Sequence, residues 1–572
     1  MSIRDKAAIA GIGQTQFAKR LDMSEYEMAV EAIWNACDDA GISPRDIDGI
    51  VRYDMEQTDE EQLLSVLGNP LIRFFAGTPF GGGGAASVLV VAATAVAAGM
   101  ADTVLVFRSR ARGKRSSYGE GKHQGGRYWE KLPERLSGLN QWHVPQGLVS
   151  AFQEMAMISM RHRIEYGTTD AQYADVAIAF RNHAIRNPCA VMRAPLSRES
   201  HHASRMISDP LRLYDCNIET DGAVAMIVTS TERARDLKQP PAIIRAGAMA
   251  AGSHHIRLST LFARPFDEES PARVARQLFA MADCEPADID VAFFYDFFTS
   301  LVIIGLEQYG FAPRGEGGPF VESGGLEWPN GRLVCNTNGG QLSEAFIHGF
   351  NNSVEAVRQI RGTSTSQVDG CELAFVAGGN TDPTGAVILA RDWWSGVGSG
   401  VPAARQIPPN PPLEKGGIGI GGSATSPSSP QASKPSQPLP LPTPETVPFY
   451  EAARRGELRF QRCADCATFR HYPRPVCPQC LSRNHTWEKS TGRGTVYSWT
   501  IVRGPTLPAF ESQLPYNVVD VLMDEGVHFV SQIIDCVPEG IRAGMPVEAV
   551  FVAIDEEITL VKFRAVGVAG SR

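Results

Sequence analysis

Short apolar runs closed by glycine alternate with amphipathic stretches through the first two thirds of the chain. KAAIAGIG, from Lys6 to Gly13, is one such run, and the amphipathic Ser24 to Asp39 follows it. A strand followed by a helix predicts an α/β unit. Phe74 to Ala101 passes twenty-eight residues without a charge, more than the roughly 20 that span a bilayer. Pro79 and Gly81 to Gly84 interrupt it. Ala85 to Gly99 is therefore expected as a helix buried in a large α/β core, with no membrane span.

The pattern repeats. AVEAIWNACDDAGISPRDIDGI (Ala29 to Ile50) is echoed by VARQLFAMADCEPADIDVAF (Val274 to Phe293): a helix, a cysteine near its end, P-x-D-I-D and an apolar strand. Gly81 to Phe107 gives a glycine turn, a helix and the strand Thr103 to Phe107. Gly339 to Gly379 gives a glycine turn, a helix near Asn352 to Ile360 and the strand Leu373 to Ala377. Two such halves predict a duplicated α/β domain over 1–395, divided near residue 240, with an insertion over about 110–210.

Residues 396–446 are dense in Pro, Gly and Ser and read as a flexible tether with a reach of about 40 Å, long enough for the flanking parts to dock or separate. Phe449 to Leu458 resembles a short helix. From Gly494 onward, strand patterns recur at Thr495–Val502, Asn517–Met523, Val527–Ile534, Pro546–Val552 and Ile558–Phe563. Such spacing predicts a small closed barrel, an OB-fold over 491–572.

A net charge of -9 gives no broad basic field, which excludes nucleic acid as the main partner. The barrel strands also lack the dense cations and stacking aromatics of a single-strand binder. The local run Arg108 to Arg115 reads either as a solvated loop or as a holder of phosphates. Eleven cysteines, seven of them dispersed, fit a reducing compartment, and the start lacks a signal-peptide pattern, so the protein is expected in the cytoplasm.

The remaining four cysteines carry chemistry. Cys463 and Cys466 precede Cys477 and Cys480 by a ten-residue spacer. Two CxxC knuckles supply four thiolates to a tetrahedral ion, which predicts a closed structural zinc ribbon within 447–490.

The C-terminal motifs, CxxC-x10-CxxC, GRGTVYSWTIV and GMPVEAVF, resemble the rubredoxin-like zinc ribbon plus OB-fold family that accompanies acyl-CoA enzymes. In the first 395 residues, AAIAGIGQTQF, ETDGAVAMIV, YDFFTS, NTNGGQLSEAFIHG and VAGGNTDPTGAVIL resemble the thiolase superfamily. The match is to its branch near sterol-carrier-protein-x thiolases and steroid side-chain retro-aldolases. The resemblance implies a duplicated, five-layered thiolase-like fold, a coenzyme A thioester as substrate and a homodimer. The departures bear on mechanism. Thiolases carry a nucleophilic cysteine in the turn that here reads FGGGGAA, Phe80 to Ala86, and their second cysteine falls in Val376 to Asn380; both are missing. Phe346 stands where thiolases have histidine and the retro-aldolases have tyrosine.

The resemblance implies Tyr295 as the matching hydroxyl, although an ordinary buried tyrosine fits the same pattern. His348 is a titrating candidate, Asn338 a candidate donor to an oxyanion, and Asp296 a group that orients its neighbours. Gly82, Gly83 and Gly84 read either as a hinge or as backbone donors around a thioester oxygen. Gly339, Gly340, Phe346, Gly378 and Gly379 complete the expected substrate surface. The resemblance, with these departures, implies a carbon–carbon lyase that cleaves a β-hydroxyacyl-CoA in retro-aldol fashion, without covalent acyl transfer. The alternative is a catalytically weak acyl-CoA binding or channelling protein that works beside a hydratase.

Overall fold

The computed structural model describes residues 2–68, 70–78, 82–111, 134–138, 140–252, 269–379, 383–392 and 437–567. Five strands come from the first half: β1 (Ala7–Gln14), β2 (Gly49–Tyr53), β3 (Phe74–Thr78), β4 (Thr103–Ala111) and β5 (Asp221–Ser230). Five come from the second: β6 (Ala242–Ala250), β7 (Val291–Phe293), β8 (Val334–Cys335), β9 (Leu373–Ala377) and β10 (Thr384–Arg391). Together they run β8-β7-β9-β10-β6-β1-β5-β4-β2-β3. Each half reads outward from the centre in the same pattern, two antiparallel pairings followed by two parallel ones, and β1 meets β6 at Ala8 and Ile9. The echo in the sequence is thus a repeat of topology.

Four helices make the layers. Ser24 caps α1 (Glu25–Ala40) with a reciprocal Ser24–Glu27 capping box, and left-handed Gly41 ends it. α1 covers the outer face of the first half, and α3 (Ser270–Ala282) covers that of the second. Between the halves lie α2 (Ser87–Ala97) and α4 (Phe350–Arg361), which touch strands of both. Eight of the eleven residues of α2 are buried, because it packs on all sides. The order is helix, sheet, helices, sheet, helix, the expected five-layered thiolase-like α/β fold. No helix among the described residues is long and apolar enough to cross a membrane.

The C-terminal module starts with the helix Val447–Arg454, shorter than expected because the chain turns at Gly456 (φ 73°). The ribbon follows, with β11 (Arg459–Cys463), β12 (Phe469–Arg470) and β13 (His485–Lys489). The barrel is built from β14 (Arg493–Val502), β15 (Tyr516–Met523), β16 (His528–Ser531), β17 (Pro546–Ala553) and β18 (Thr559–Ala565). β14 pairs with both β15 and β17, and Ile533–Ile534, just past β16, closes the ring against β18.

Most of the expected tether, 396–436, lies outside the described residues. Its last part departs from a free coil: Leu439 and Pro440 pair in parallel with Arg135 and Leu136, held by Leu439 N to Glu134 O and Leu441 N to Leu136 O. Proline 440 fits there because the bonds use its neighbours' N–H groups. The module is docked on the insertion. Tyr516 Oη donates to Gly147 O (2.8 Å), Ser498 Oγ donates to Met157 O (2.6 Å), and Arg503 pairs with Asp209 (3.0 Å). Val502 of β14 also pairs with Ser208, so the barrel sheet continues into the first domain.

Candidate active site

Tyr295 and Asp296 leave the end of β7, and Asp296 fixes the turn. Its buried carboxylate accepts hydrogen bonds from the N–H groups of Gln341 (3.0 Å) and Leu342 (3.1 Å) and from Asn352 Nδ2 (3.4 Å). Burial pushes its pKa up to about 6, and the backbone donors pull it back. Gly340 must be glycine: its φ is 59°, and a Cβ would sit 2.1 Å from Asp296 Oδ2. Asp296 thus orients its neighbours.

The turn places the Tyr295 ring, 3% exposed, between two glycines. A Cβ on Gly82 would lie 2.5 Å from the ring, and one on Gly349 would lie 2.9 Å from it. Gly379 N–H donates to Gly82 O at 2.9 Å, so the two glycine-rich turns meet behind the phenol. Gly83 and Gly84 are buried there in a single helical turn ahead of α2. Gly81 lies outside the described residues. Tyr295 therefore fills the turn where the family resemblance puts a cysteine nucleophile.

His348 lies on the other side of Gly349, in a left-handed conformation (φ 52°) and 3% exposed. Its Nδ1 accepts from Arg108 Nε at 3.1 Å. Arg108 NH1 in turn meets Glu56 Oε2 at 3.1 Å, with both side chains fully buried. Glu56 also accepts from the N–H (2.6 Å) and Oγ (2.8 Å) of Ser109. Phe346 and Tyr53 flank the imidazole, at ring centroids of 4.6 and 5.2 Å. Phe346 N–H donates to Thr220 Oγ1 (2.9 Å), which fixes the segment. Arg108 thus belongs neither to a solvated loop nor to a phosphate holder; it is an internal strand residue. Arg110 is likewise buried, 3.8 Å from Glu25, and 112–115 lie outside the described residues. Glu56 escaped the sequence reading, in which Arg108 figured only as the start of a basic run.

Asn338 sits deeper. Its Nδ2 donates to Glu344 Oε2 and Asn352 Oδ1, and its Oδ1 accepts from Gly340 N–H. Glu344 also accepts from Asn187 and Asn351, and burial pushes its pKa up to about 7. Both amide hydrogens of Asn338 are committed inside this network. Gly339, at φ 99°, abuts Ala184, where a Cβ would be 2.5 Å away.

No thiol reaches the phenol's turn. Cys371 packs before β9, with its pKa pushed up to about 12 by burial, and burial raises Cys335 and Cys216 well above the ordinary thiol value. Such thiols are poor nucleophiles.

The ribbon cysteines fit zinc. Their sulfurs all lie within 4.8 Å of one another, with Cys463–Cys480 at 3.5 Å and Cys466–Cys477 at 3.6 Å. A tetrahedron with 2.3 Å bonds has sulfur edges of about 3.8 Å, whereas a disulfide needs about 2.05 Å. Left-handed Ala467 (φ 60°) and Leu481 (φ 62°) close the two knuckles. The protein holds a structural zinc ion in this ribbon, and the four-sulfur set leaves no position for substrate.

The chain matches three family models: a thiolase C-terminal domain-like region over 252–391, the ChsH2 rubredoxin-like zinc ribbon over 451–486 and the ChsH2 C-terminal OB-fold over 487–552. It is 41% identical to the steroid side-chain-cleaving aldolase of Thermomonospora curvata over 68% of this chain and 98% of that protein. It is 40% identical to the 17-hydroxy-3-oxo-4-pregnene-20-carboxyl-CoA lyase of Mycobacterium tuberculosis over 67% of this chain and 99% of that protein. The solved structure titled Ltp2-ChsH2(DUF35) aldolase superposes with a TM-score of 0.62 at 38% identity, covering 69% of this chain and all of its own. The chain belongs to the thiolase-like aldolase family of carbon–carbon lyases that act on acyl-CoA, and it carries a ChsH2-type zinc ribbon and OB-fold in the same polypeptide.

Proposed function

We propose that the enzyme splits the Cα–Cβ bond of a bulky β-hydroxyacyl-CoA, of steroid side-chain type, at Tyr295 and His348. The β-hydroxyl loses its proton, the Cα–Cβ electrons pass into the thioester as an enolate, and a ketone leaves. The enolate is then protonated at Cα. Tyr295 is the proton shuttle: its phenolate takes the β-hydroxyl proton as the bond breaks, and the phenol so formed returns that proton to Cα of the enolate, which leaves the enzyme as it began. His348, with Nδ1 occupied by Arg108, presents Nε2–H to the thioester oxygen as charge develops. Gly82 to Gly84, Gly378 and Gly379 line the acyl path beside the phenol, and Phe346 offers an apolar wall. Asp296 and Asn338 hold the frame, with Gly339 and Gly340 as its close-packed turn.

The observation that carries this reading is the Tyr295 ring seated on Gly82, with no cysteine beside it. The test is incubation of the purified chain with steroid-type β-hydroxyacyl-CoA thioesters, with ketone release followed by chromatography. Binding without ketone release would return the chain to the channelling role. A hydratase remains the proposed neighbour in sequence, because water addition to an enoyl-CoA makes the β-hydroxyl this cleavage needs.

The proposed oligomer is a homodimer across β3. β3 ends the ten-stranded sheet, and Phe75 (72% exposed) and nearby Leu71 (80% exposed) stand out from it. An open edge with exposed apolar side chains invites pairing. Light scattering of wild type against Phe75→Asp decides it. None of the eleven cysteines forms a disulfide, which supports a reducing, cytoplasmic setting.

A further inference from the structure

Arg470 of β12 lies directly across from Gln461 of β11. It is 4% exposed, and none of its three guanidinium nitrogens has a hydrogen-bond partner among the described residues. The ribbon sulfurs are not among its partners either. A second guanidinium shares the corner. Arg474 donates its backbone N–H to Gln461 Oε1 (2.8 Å), and its pKa is lowered by burial and then by the charge of Arg470. His471, between them, has a buried Nε2 without a partner, and its pKa is pushed down to about 3, so it adds no charge.

A guanidinium stays protonated, and burying it unpaired is strongly unfavourable. Neither arginine has an ion-pair partner among the described residues, so the corner calls for an anion from outside. The planar fork of arginine matches the oxygens of phosphate, which neither a lone hydroxyl nor an amide does. The corner also lies beside the seam between the ribbon and the first domain: the next residue after His471 is Tyr472, whose Oη is 2.6 Å from His143 Nε2.

We propose that Arg470 and Arg474 form a phosphate-binding corner on the zinc ribbon that takes a phosphate of the coenzyme A portion of the substrate. The CoA assignment rests on the acyl-CoA reading above; the phosphate chemistry does not. The ribbon then grips the nucleotide end of the thioester while the first domain works on its acyl end.

Calorimetry on the zinc-loaded full chain tests this with coenzyme A, 3′-dephospho-coenzyme A, pyrophosphate and inorganic phosphate as separate ligands. Arg470→Gln and Arg474→Gln are expected to weaken coenzyme A at least tenfold and to flatten its salt dependence. Arg462→Gln, an exposed neighbour, is the control. A matching loss with 3′-dephospho-coenzyme A on wild type places the 3′-phosphate in the corner; no such loss places the diphosphate there. Phosphate binding abolished by Arg470→Gln with coenzyme A unaffected upholds the anion corner and overturns the coenzyme A assignment. Equal binding of every ligand by wild type and both variants overturns the whole proposal. Arg470→Lys, which keeps the charge and loses the fork, serves if Arg470→Gln loses its zinc. None of these readings requires turnover, so failure of the lyase chemistry is seen separately.

Discussion

Arg108 Nε donates a 3.1 Å hydrogen bond to His348 Nδ1, with the guanidinium fully buried. Arginine has no acceptor, so Nδ1 must carry the lone pair and the imidazole proton sits on Nε2. Glu56 supplies the countercharge that lets a guanidinium be buried there. Arg108→Lys keeps a charge for Glu56 but loses the fork, and kcat is expected to fall about 10²-fold, the scale of one lost transition-state donor. The ring nitrogens of His348 in 15N NMR would then shift from the single Nε2–H tautomer toward a mixture, which simple loosening of the core would not produce. Arg108→Gln leaves Glu56 buried without its cation and should cost about 3–5 kcal/mol of stability by denaturant unfolding.

Tyr295→Phe removes one oxygen and leaves the ring on Gly82 and Gly349. Loss of a proton-transfer group predicts a fall in kcat of about 10²–10⁴ with little change in KM. Stability should change by about 1 kcal/mol or less. Retention of full cleavage by this variant would remove the phenol from the mechanism. Gly82→Ala tests the same contact from the other side, since its Cβ would lie 2.5 Å from the ring and must displace it.

Glu344 gives a pH signature of stability. Its folded pKa is about 7 against an ordinary 4.5, so the folded chain binds the proton more tightly. That contribution is fully present below about pH 4.5 and is lost as pH rises toward 7, at up to about 1.4 kcal/mol per pH unit. The unfolding free energy of wild type minus that of Glu344→Gln should therefore decrease between pH 4.5 and 7. A flat difference across that window would show that the carboxyl is already ionised at acid pH.

The sequence disclosed the parts whose chemistry is local. Four cysteines in two knuckles need only their own turns, and the duplicated strand–helix pattern survives because each half buries the same faces. Arg108 was misleading because it opens a basic run, RSRARGKR, that looks solvated. The period of β4 tells otherwise: Val104 and Val106 face the central core, and Arg108 takes the next inward position. Its partners Glu56 and His348 are 52 and 240 residues away in the chain, a pairing no local pattern reveals. Asn338 resembled an oxyanion donor for the related reason that Glu344 and Asn352, which claim its amide, are recognisable only once the turn at Gly340 is folded. Leu439 and Pro440 read as tether because their strand partner, Arg135–Leu136, is supplied by the insertion.

Trp142 is the anchor of the docked module. Its ring, 7% exposed, lies 4.9 to 5.3 Å from the rings of Phe449, Tyr450, His471 and Tyr472. The indole comes from the insertion of the first domain and its four neighbours from the ribbon side, so their contact is the adhesive between domains. Truncation to alanine should cost about 3–5 kcal/mol at such a site, or about 10²–10³·⁵ in affinity. With a protease site placed in the Pro/Gly/Ser stretch and a tag on the N-terminal part, cleaved wild type should keep its C-terminal fragment on the resin. Cleaved Trp142→Ala should release it. Zinc removal by a strong chelator should release it as well, because the two knuckles bracket His471 and Tyr472 and lose their shape together. If the chelated, cleaved protein stays associated while Trp142→Ala dissociates, the barrel contacts of Ser498 and Tyr516 hold the module without the ribbon, and zinc has no part in docking.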